Sequence, residues 1–169
     1  MSQPIEKIIG VCQDRIADRL WEMNDELKVG DSPIEKILFL ALFGCVKFTL
    51  TEFGDVRLSE TGDHARLHAP RQRDCLYVTP QAPVQQYRLD FLVEVFDGEG
   101  WLKLAVECDG HDFHEKTKKQ AARDKARDRI IVTEGYTLFR FTGSEIYADP
   151  MKCAEQIVDW AERNYWRRG

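Results

Sequence analysis

The feature that most constrains the fold is a β-hairpin pattern between Gln86 and Asp109. Two β-rich runs flank Asp97-Gly98-Glu99-Gly100, a sequence typical of a hairpin turn. If the turn centres between Gly98 and Glu99, one face of the hairpin is entirely apolar, with the pairs Val95–Leu102, Val93–Leu104, Phe91–Val106 and Leu89–Cys108. The other face then pairs Phe96–Trp101, Glu94–Lys103, Leu92–Ala105, Asp90–Glu107 and Arg88–Asp109. Aromatic and opposite-charge pairs of this kind stabilise sheets, so the pattern predicts two antiparallel strands with one buried face.

The pair Asp90 and Glu107 is the exception in this register. Directly opposed residues have β-carbons roughly 5 Å apart, and two like charges at that distance destabilise a sheet. Either one carboxyl group is protonated or a cation lies between them, and a hard divalent cation such as Mg²⁺ or Mn²⁺ prefers carboxylate oxygens. We favour the cation. The alternative is a different register, with each acid solvated at a strand end.

After the hairpin, the sequence predicts a long helix from Glu115 to Glu134, ended by Gly135. Its predicted buried stripe consists of the small and apolar residues Ala122, Ala126 and Ile130. A strand over residues 136–142 follows, and because crossover connections are right-handed it should lie parallel to the strand that carries Glu107. A last helix begins at Asp149-Pro150, with an inward face formed by Cys153, Ile157 and Trp160 or Ala161.

The N-terminal half of the chain is predicted to be mainly helical. Apolar residues recur at helical spacing from Pro4 to Leu27, and Ser32-Pro33-Ile34-Glu35 begins a second helix that ends at Gly44. Residues 51–83 are polar and rich in breakers, which predicts irregular structure with at most one strand near Cys75–Val78. The chain is therefore expected to be one α/β domain over residues 1–169, with a helical extension at 1–30 and a core at 31–169.

Charge and composition restrict the partners. The 169 residues carry a net charge of −5, which argues against a protein that coats nucleic acid nonspecifically. Basic residues nevertheless form one stripe at helical spacing: Lys116, Lys119, Arg123 and Arg127. They are candidates for phosphate contacts, although an ordinary solvated face, or an ion-pair network around Asp124, Arg127 and Asp128, is the alternative. The chain has neither a membrane-length apolar run nor paired cysteines, so we expect a cytoplasmic protein with reduced thiols.

At Asp90, Glu107-Cys108-Asp109 and this order of elements, the chain resembles the PD-(D/E)XK nuclease superfamily. The longer string is similar to an uncharacterised endonuclease-like domain family related to the very-short-patch-repair mismatch endonucleases. It comprises Tyr87-Arg88-Leu89-Asp90-Phe91, Glu107-Cys108-Asp109-Gly110-His111, His114, Asp124, Arg127-Asp128, Gly135-Tyr136 and Arg140-Phe141. The resemblance implies a restriction-endonuclease-like αβββαβ core, a mixed sheet flanked by helices, with an extra helix at each terminus.

The resemblance also implies a function and a metal site. The expected activity is metal-dependent hydrolysis of phosphodiester bonds, most often in DNA, in a repair, restriction or mobile-element context. Asp90 and Glu107 would bind Mg²⁺ or Mn²⁺, and the backbone carbonyl of Cys108 would complete the ligand set. The candidate catalytic residues are Asp90, Glu107, Asp109, Glu35 and His114.

The chain departs from the superfamily two residues after Glu107, where Asp109 replaces the usual lysine. A base or cation could instead come from Lys118, Lys119, Lys125, His111 or His114. Asp109 could help to hold a second metal, or it could pair with Arg88 across the hairpin. Glu35 occupies the place of an acid on the first core helix, but it could equally complete a capping box with Ser32.

Two other functions remain open from the sequence. A nuclease fold that binds nucleic acid without cutting it would explain Asp109 at the lysine position. A structural zinc site on Cys108, His111 and His114, with or without Asp109, is the third hypothesis. A homodimer or a larger partner protein is also compatible with the resemblance.

Overall fold

A five-stranded sheet with helices on both faces forms the body of the protein. The computed structural model describes residues 18, 32–48, 53, 55–58, 75–110 and 118–166. The elements are α1 (Pro33–Phe48), β1 (Asp55–Leu58), β2 (Cys75–Val84), β3 (Tyr87–Phe96), β4 (Trp101–Asp109), α2 (Lys118–Thr133), β5 (Thr137–Thr142), α3 (Gly143–Ala148) and α4 (Pro150–Trp166). The strands lie in the order β1-β2-β3-β4-β5. The outer pairs are parallel and the inner pairs antiparallel, so the sheet is mixed.

The predicted hairpin is confirmed from its turn to the middle of the sheet. The structure pairs Phe96 with Trp101 and continues in the same register to Phe91 and Val106. The side chain of Asp97 stabilises the turn, because its Oδ1 accepts hydrogen bonds from the backbone N–H groups of Glu99 and Gly100. The last strand is also confirmed, since β5 lies parallel to β4.

Each face of the sheet covers a different hydrophobic cluster. The larger cluster joins α1, α3 and α4 to the apolar hairpin face, with Val93, Leu104 and Ile146 fully buried. The smaller cluster lies beneath α2, where Leu92, Ala105 and Leu89 surround Ile131. Because most apolar area is buried on the α1 and α4 side, that side supplies most of the hydrophobic stabilisation.

The predicted inward face of α2 is wrong. Ala122 is exposed and Ala126 and Ile130 are only partly buried, whereas Ile131 is fully buried. The helix is rotated relative to the predicted stripe because polar residues, Arg127 and Asp128 among them, turn toward the sheet and form ion pairs with it. In α4 the prediction is confirmed, since Cys153, Ile157 and Ala161 are buried.

One helix boundary, one segment and one short helix also differ from the predictions. Helix α1 continues through the buried Gly44 to Phe48, because burial of this apolar helix outweighs a glycine cost of about 1 kcal/mol. Residues 51–83 are not wholly irregular: β1 lies there, and β2 runs through Pro80 and Pro83. The short helix α3 was not predicted, although Thr142 and Glu145 form its capping box.

The element order fits the predicted α/β class and a restriction-endonuclease-like αβββαβ core. Helix α1, strands β2 to β4, helix α2 and strand β5 make up that core, with α4 following it and β1 as an addition at the sheet edge. The predicted helix over residues 4–27, and most of the extension at 1–30, lie outside the described residues. None of the helices in the described ranges combines the length and apolar character needed to cross a membrane. Cys45, Cys75, Cys108 and Cys153 are free thiols, as predicted.

Candidate functional site

The site begins at a distortion that β2 and β3 share. Their register is constant on both sides of Gln81 and Asp90, but these two residues do not pair in the ladder. Gln81 adopts a left-handed conformation, with φ of 51°. Pro80 and Pro83 lie on either side of Gln81 and lack the N–H groups that a regular ladder would use.

The distortion exchanges the faces of the β2–β3 ribbon. Before it, Val78 and Val93 pack into the larger cluster, whereas beyond it Ala82 and Leu89 pack beneath α2. The predicted position of Leu89 on the same face as Phe91 is therefore wrong. Asp90 lies at the exchange, where strand regularity no longer determines the direction of its side chain.

Asp90 takes the place of a backbone acceptor. Continuing the β3–β4 register would pair Cys108 with Leu89, but the ladder ends at Phe91 and Val106. The backbone N–H of Cys108 instead donates a 2.6 Å hydrogen bond to Oδ2 of Asp90. Burial raises the pKa of Asp90, an effect that this hydrogen bond and the nearby charge of Arg127 oppose.

Glu107 is a buried carboxylate on β4 with a strongly shifted pKa. Its residue is only 3% exposed, and its Oε1 accepts a hydrogen bond from Nη2 of Arg127 at 2.5 Å. Burial, the largest cause, and the negative charge of Asp90 together raise the pKa of Glu107 to about 7, against the opposing effect of Arg127. The two acids are thus electrostatically coupled at the ends of adjacent strands, although the ladder does not pair them directly.

Asp109 is held by an arginine of the neighbouring strand. Nη1 of Arg140 donates to both carboxylate oxygens of Asp109, at 3.0 and 3.1 Å, and Nη2 donates to Asp128 at 2.6 Å. An ion pair for Asp109 was among the expectations, but the partner is Arg140 on β5 rather than Arg88. The parallel β4–β5 register explains this choice because it brings Arg140 opposite Glu107, beside Asp109.

Glu35 reaches the site from the first turn of α1. It is buried, and its Oε2 accepts a 2.8 Å hydrogen bond from Nε2 of Gln81. The distorted residue of β2 therefore connects the helical acid to the sheet. Glu35 also lies close enough to Cys108 to influence the pKa of that thiol.

Cys108 marks the centre of the acidic cluster. Burial raises the pKa of its thiol, and the charges of Asp90, Glu35, Glu107 and Asp109 raise it further. These four carboxylates, from α1, β3 and β4, therefore share one end of the sheet. The thiol itself packs against the larger hydrophobic cluster, as predicted, and a raised pKa disfavours the thiolate that a zinc site requires.

The predicted basic stripe divides into two groups. Arg123 is exposed on α2, whereas Arg127 is turned inward and donates to Glu107 and to the backbone carbonyl of Arg88. The ion-pair interpretation of Arg127 and Asp128 is thereby supported, with partners on β4 and β5. His111, His114 and Lys116 lie outside the described residues, as does the side chain of Lys119.

Sequence reasoning gave no role to Gln81 or Arg140, and it missed Glu107 as the partner of Arg127. The signal for Arg140 is a single charged residue within the otherwise β-prone run Thr137–Thr142. The signal for Gln81 is its place between two prolines of a strand. The direction in which Arg127 points could not be derived without the rotation of α2.

The donor set fits a hard divalent cation. Asp90 and Glu107 offer carboxylate oxygens, and the carbonyl of Cys108 lies between Glu107 and Asp109 in the chain; such oxygens suit Mg²⁺ and Mn²⁺. Asp90 raises the pKa of Glu107 because the two carboxylates repel each other, and a bound cation would relieve that repulsion. Among the described residues, no three side chains of His, Cys, Asp or Glu converge as a metal site. The fit therefore rests on two carboxylates and backbone oxygen.

Comparison with protein-family models identifies a family for this chain. The family model REase_MTES_1575, which describes a restriction-endonuclease-like family, matches residues 68–160, more than half of the chain. The matched range contains the hairpin, α2 and β5, and thus all of the acidic cluster except Glu35. No curated protein and no solved structure matches the chain.

Proposed function

Because the chain belongs to this restriction-endonuclease-like family, we propose that it is a metal-dependent endonuclease that hydrolyses phosphodiester bonds in DNA. The observation that carries the proposal is the coupled pair Asp90 and Glu107 at the ends of β3 and β4. The family name suggests nuclease activity, and from the site we infer a divalent metal, a DNA substrate and Asp90 and Glu107 as the ligands. We further propose that the protein uses a PD-(D/E)XK mechanism, is related to the very-short-patch-repair endonucleases and acts in the cytoplasm.

The pair would serve as the ligands of Mg²⁺ or Mn²⁺. A bound divalent cation lowers the pKa of a coordinated water and neutralises charge on the attacked phosphate. Asp90 is oriented by the N–H of Cys108, which holds one carboxylate oxygen at a fixed position. Both acids stand on strands rather than loops, which gives a ligand pair the positional precision that catalysis requires.

The remaining residues divide between positioning and substrate contact. Arg140 neutralises Asp109, so Asp109 would shape the site rather than bind a second metal. Arg123 lies exposed on α2 and is a candidate for contact with a DNA phosphate, as are Lys116 and Lys119. His114 remains a candidate general acid or base.

The direct test compares wild-type protein with Asp90→Asn and Glu107→Gln on plasmid DNA, single-stranded DNA and RNA. Each reaction contains Mg²⁺, Mn²⁺ or EDTA. Cleavage that requires metal and falls at least about 100-fold in both variants is expected, since loss of one preorganised transition-state contact costs about that much. Glu155→Gln, which changes an exposed carboxylate on α4, is the matched control and should cut like wild type.

Cleavage that survives in both variants would refute this site. A second function, binding of nucleic acid without cleavage, is favoured by one observation: Asp109 stands at the lysine position and is already bound by Arg140. Binding to DNA that weakens with salt, without cutting under any metal condition, would support that function instead.

A further inference from the structure

The proposed metal ligands already have a cation of the protein beside them. Nη2 of Arg127 donates both to Oε1 of Glu107 and to the backbone carbonyl of Arg88. Arg88 precedes Asp90 by two residues on β3, so the guanidinium bridges the ends of the same two strands that carry Asp90 and Glu107. Its charge acts on both acids, since it lowers the pKa of each.

The contact of Arg127 is incomplete. Its Nε is buried and has no hydrogen-bond partner among the described residues, which leaves one N–H without compensation for lost water. The guanidinium carbon lies 5.9 Å from the centroid of the Tyr87 ring, which covers one side of the guanidinium group. The pair is only partly buried, since the side chain of Arg127 is 22% exposed, and an ion pair with an unsatisfied donor gives less net stabilisation than a complete one. A divalent cation can therefore compete with it.

Arg140 differs from Arg127 in its partners. Its two terminal nitrogens bind Asp109 and Asp128, so its bonds go to carboxylates outside the proposed ligand pair. The acids Asp90, Glu107, Asp109 and Asp128 outnumber these two arginines. With these acids ionised, the four carboxylates and two arginines together carry net negative charge, which a divalent cation would offset.

From these contacts we propose that Arg127 is a built-in competitor of the metal: it binds Glu107, and a divalent cation gains that carboxylate only by displacing it. Arg127 thereby sets the metal affinity of the site. This inference rests on the proposed function, because it takes Asp90 and Glu107 as the ligands. It assigns Arg127 to control of the ligand pair rather than to the phosphate-binding stripe.

The test measures metal binding directly. Purified protein is treated with EDTA, dialysed, and titrated with MnCl₂ by isothermal titration calorimetry. Arg127→Met keeps the apolar stem beside Tyr87 and removes the charge, so Mn²⁺ should bind about tenfold more tightly than to wild type, the size expected when one charge-assisted hydrogen bond no longer competes. The rise in melting temperature on adding Mn²⁺ should also be larger in this variant.

Two variants serve as controls. Arg123→Met removes a charge from the exposed part of the same helix and should leave the affinity for Mn²⁺ unchanged. Glu107→Gln removes the shared carboxylate and should abolish binding. If Arg127→Met does not fold, as judged by circular dichroism, Arg127→Lys replaces it, with an affinity expected between those of wild type and a charge-free site.

The outcomes separate this inference from the proposed function. Equal or weaker Mn²⁺ binding by the Arg127 variant, while wild type binds Mn²⁺ and cuts DNA, would overturn the competition and leave the nuclease intact. Absence of Mn²⁺ binding in wild type and in all variants would overturn the metal site and the competition together. Tighter binding in Arg127→Met and in Arg123→Met alike would show a general charge effect, which also contradicts a specific competitor.

Discussion

The two ends of the β3–β4 hairpin differ in what holds the strands together. At the turn end, backbone pairs run without interruption from Phe96 and Trp101 to Phe91 and Val106. At the open end the ladder stops, and a side chain, the carboxylate of Asp90, accepts the N–H of Cys108. Where the backbone pairs regularly, the side chains only pack. Where the pairing is interrupted, side chains form the hydrogen bonds that connect the strands. Asp90, Glu107 and Asp109 lie beyond the last backbone pair of β3 and β4.

The largest expected effect lies in the regular part. Leu104 is fully buried between the sheet and its helices, so Leu104→Ala should lower the free energy of unfolding by about 3 kcal/mol through lost burial and a residual cavity. Urea denaturation measures this change. Val132→Ala, at an exposed apolar position on α2, should change it by less than about 0.5 kcal/mol.

At the open end, stability should depend on pH. The pKa of Glu107 is about 7 in the folded protein against an ordinary 4.5, so the folded state binds a proton more tightly than the unfolded one. Its contribution to the free energy of unfolding is full below about pH 4.5 and is lost as the pH rises through 7, an effect of the order of 3 kcal/mol. Without added metal, wild type should lose stability relative to Glu107→Gln between these values.

Thermal melting of both proteins from pH 4.5 to 8 follows this difference. A flat difference between wild type and Glu107→Gln would show that Glu107 is ordinarily solvated. The open end would then not differ from the turn end through a buried acid at Glu107.

A third change removes the arginine that joins β4, β5 and α2. Arg140→Met leaves Asp109 and Asp128 without their shared cation, and these side chains are partly exposed, so the loss should be about 1 to 2 kcal/mol. Arg163→Met breaks an exposed pair with Asp159 on α4 and should cost about 0.5 kcal/mol or less. Equal losses in the two variants, measured by urea denaturation, would contradict a special role for the open end.

The smallest effect is expected at the turn. Gly98 has a φ of 103°, which an L-residue with a side chain rarely adopts, so Gly98→Ala should cost about 1 kcal/mol. Gly100 lacks a positive φ, and a β-carbon there would meet nothing within 4 Å. Gly100→Ala should therefore cost less than Gly98→Ala, and thermal melting distinguishes them.

The sequence predicted what depends on local pattern. The hairpin register, the parallel β5 and the inward face of α4 follow from alternation, a crossover rule and helical spacing. Likewise, the restriction-endonuclease-like family agrees with the match of REase_MTES_1575. The roles of Asp90 and Glu107 as ligands remain predictions.

What could not be predicted depends on distant partners. The inward turn of Arg127 depends on a carboxylate 20 residues earlier, and the bond of Arg140 to Asp109 spans 31 residues. The apolar pattern alone placed Ala122 and Ala126 inward, because it could not include the free energy of ion pairs with the sheet. The distortion at Gln81 likewise depends on two strands together, so neither strand alone reveals it.

The separation of the acids from their arginines also orders events during synthesis. Glu107 and Asp109 emerge from the ribosome before Arg127 and Arg140, which follow on α2 and β5. A nascent chain that ends before α2 contains the acids of the hairpin but neither Arg127 nor Arg140, the two arginines that later bind them. We expect the turn half of the hairpin to form early from local contacts, and the open half to be completed only when α2 and β5 dock.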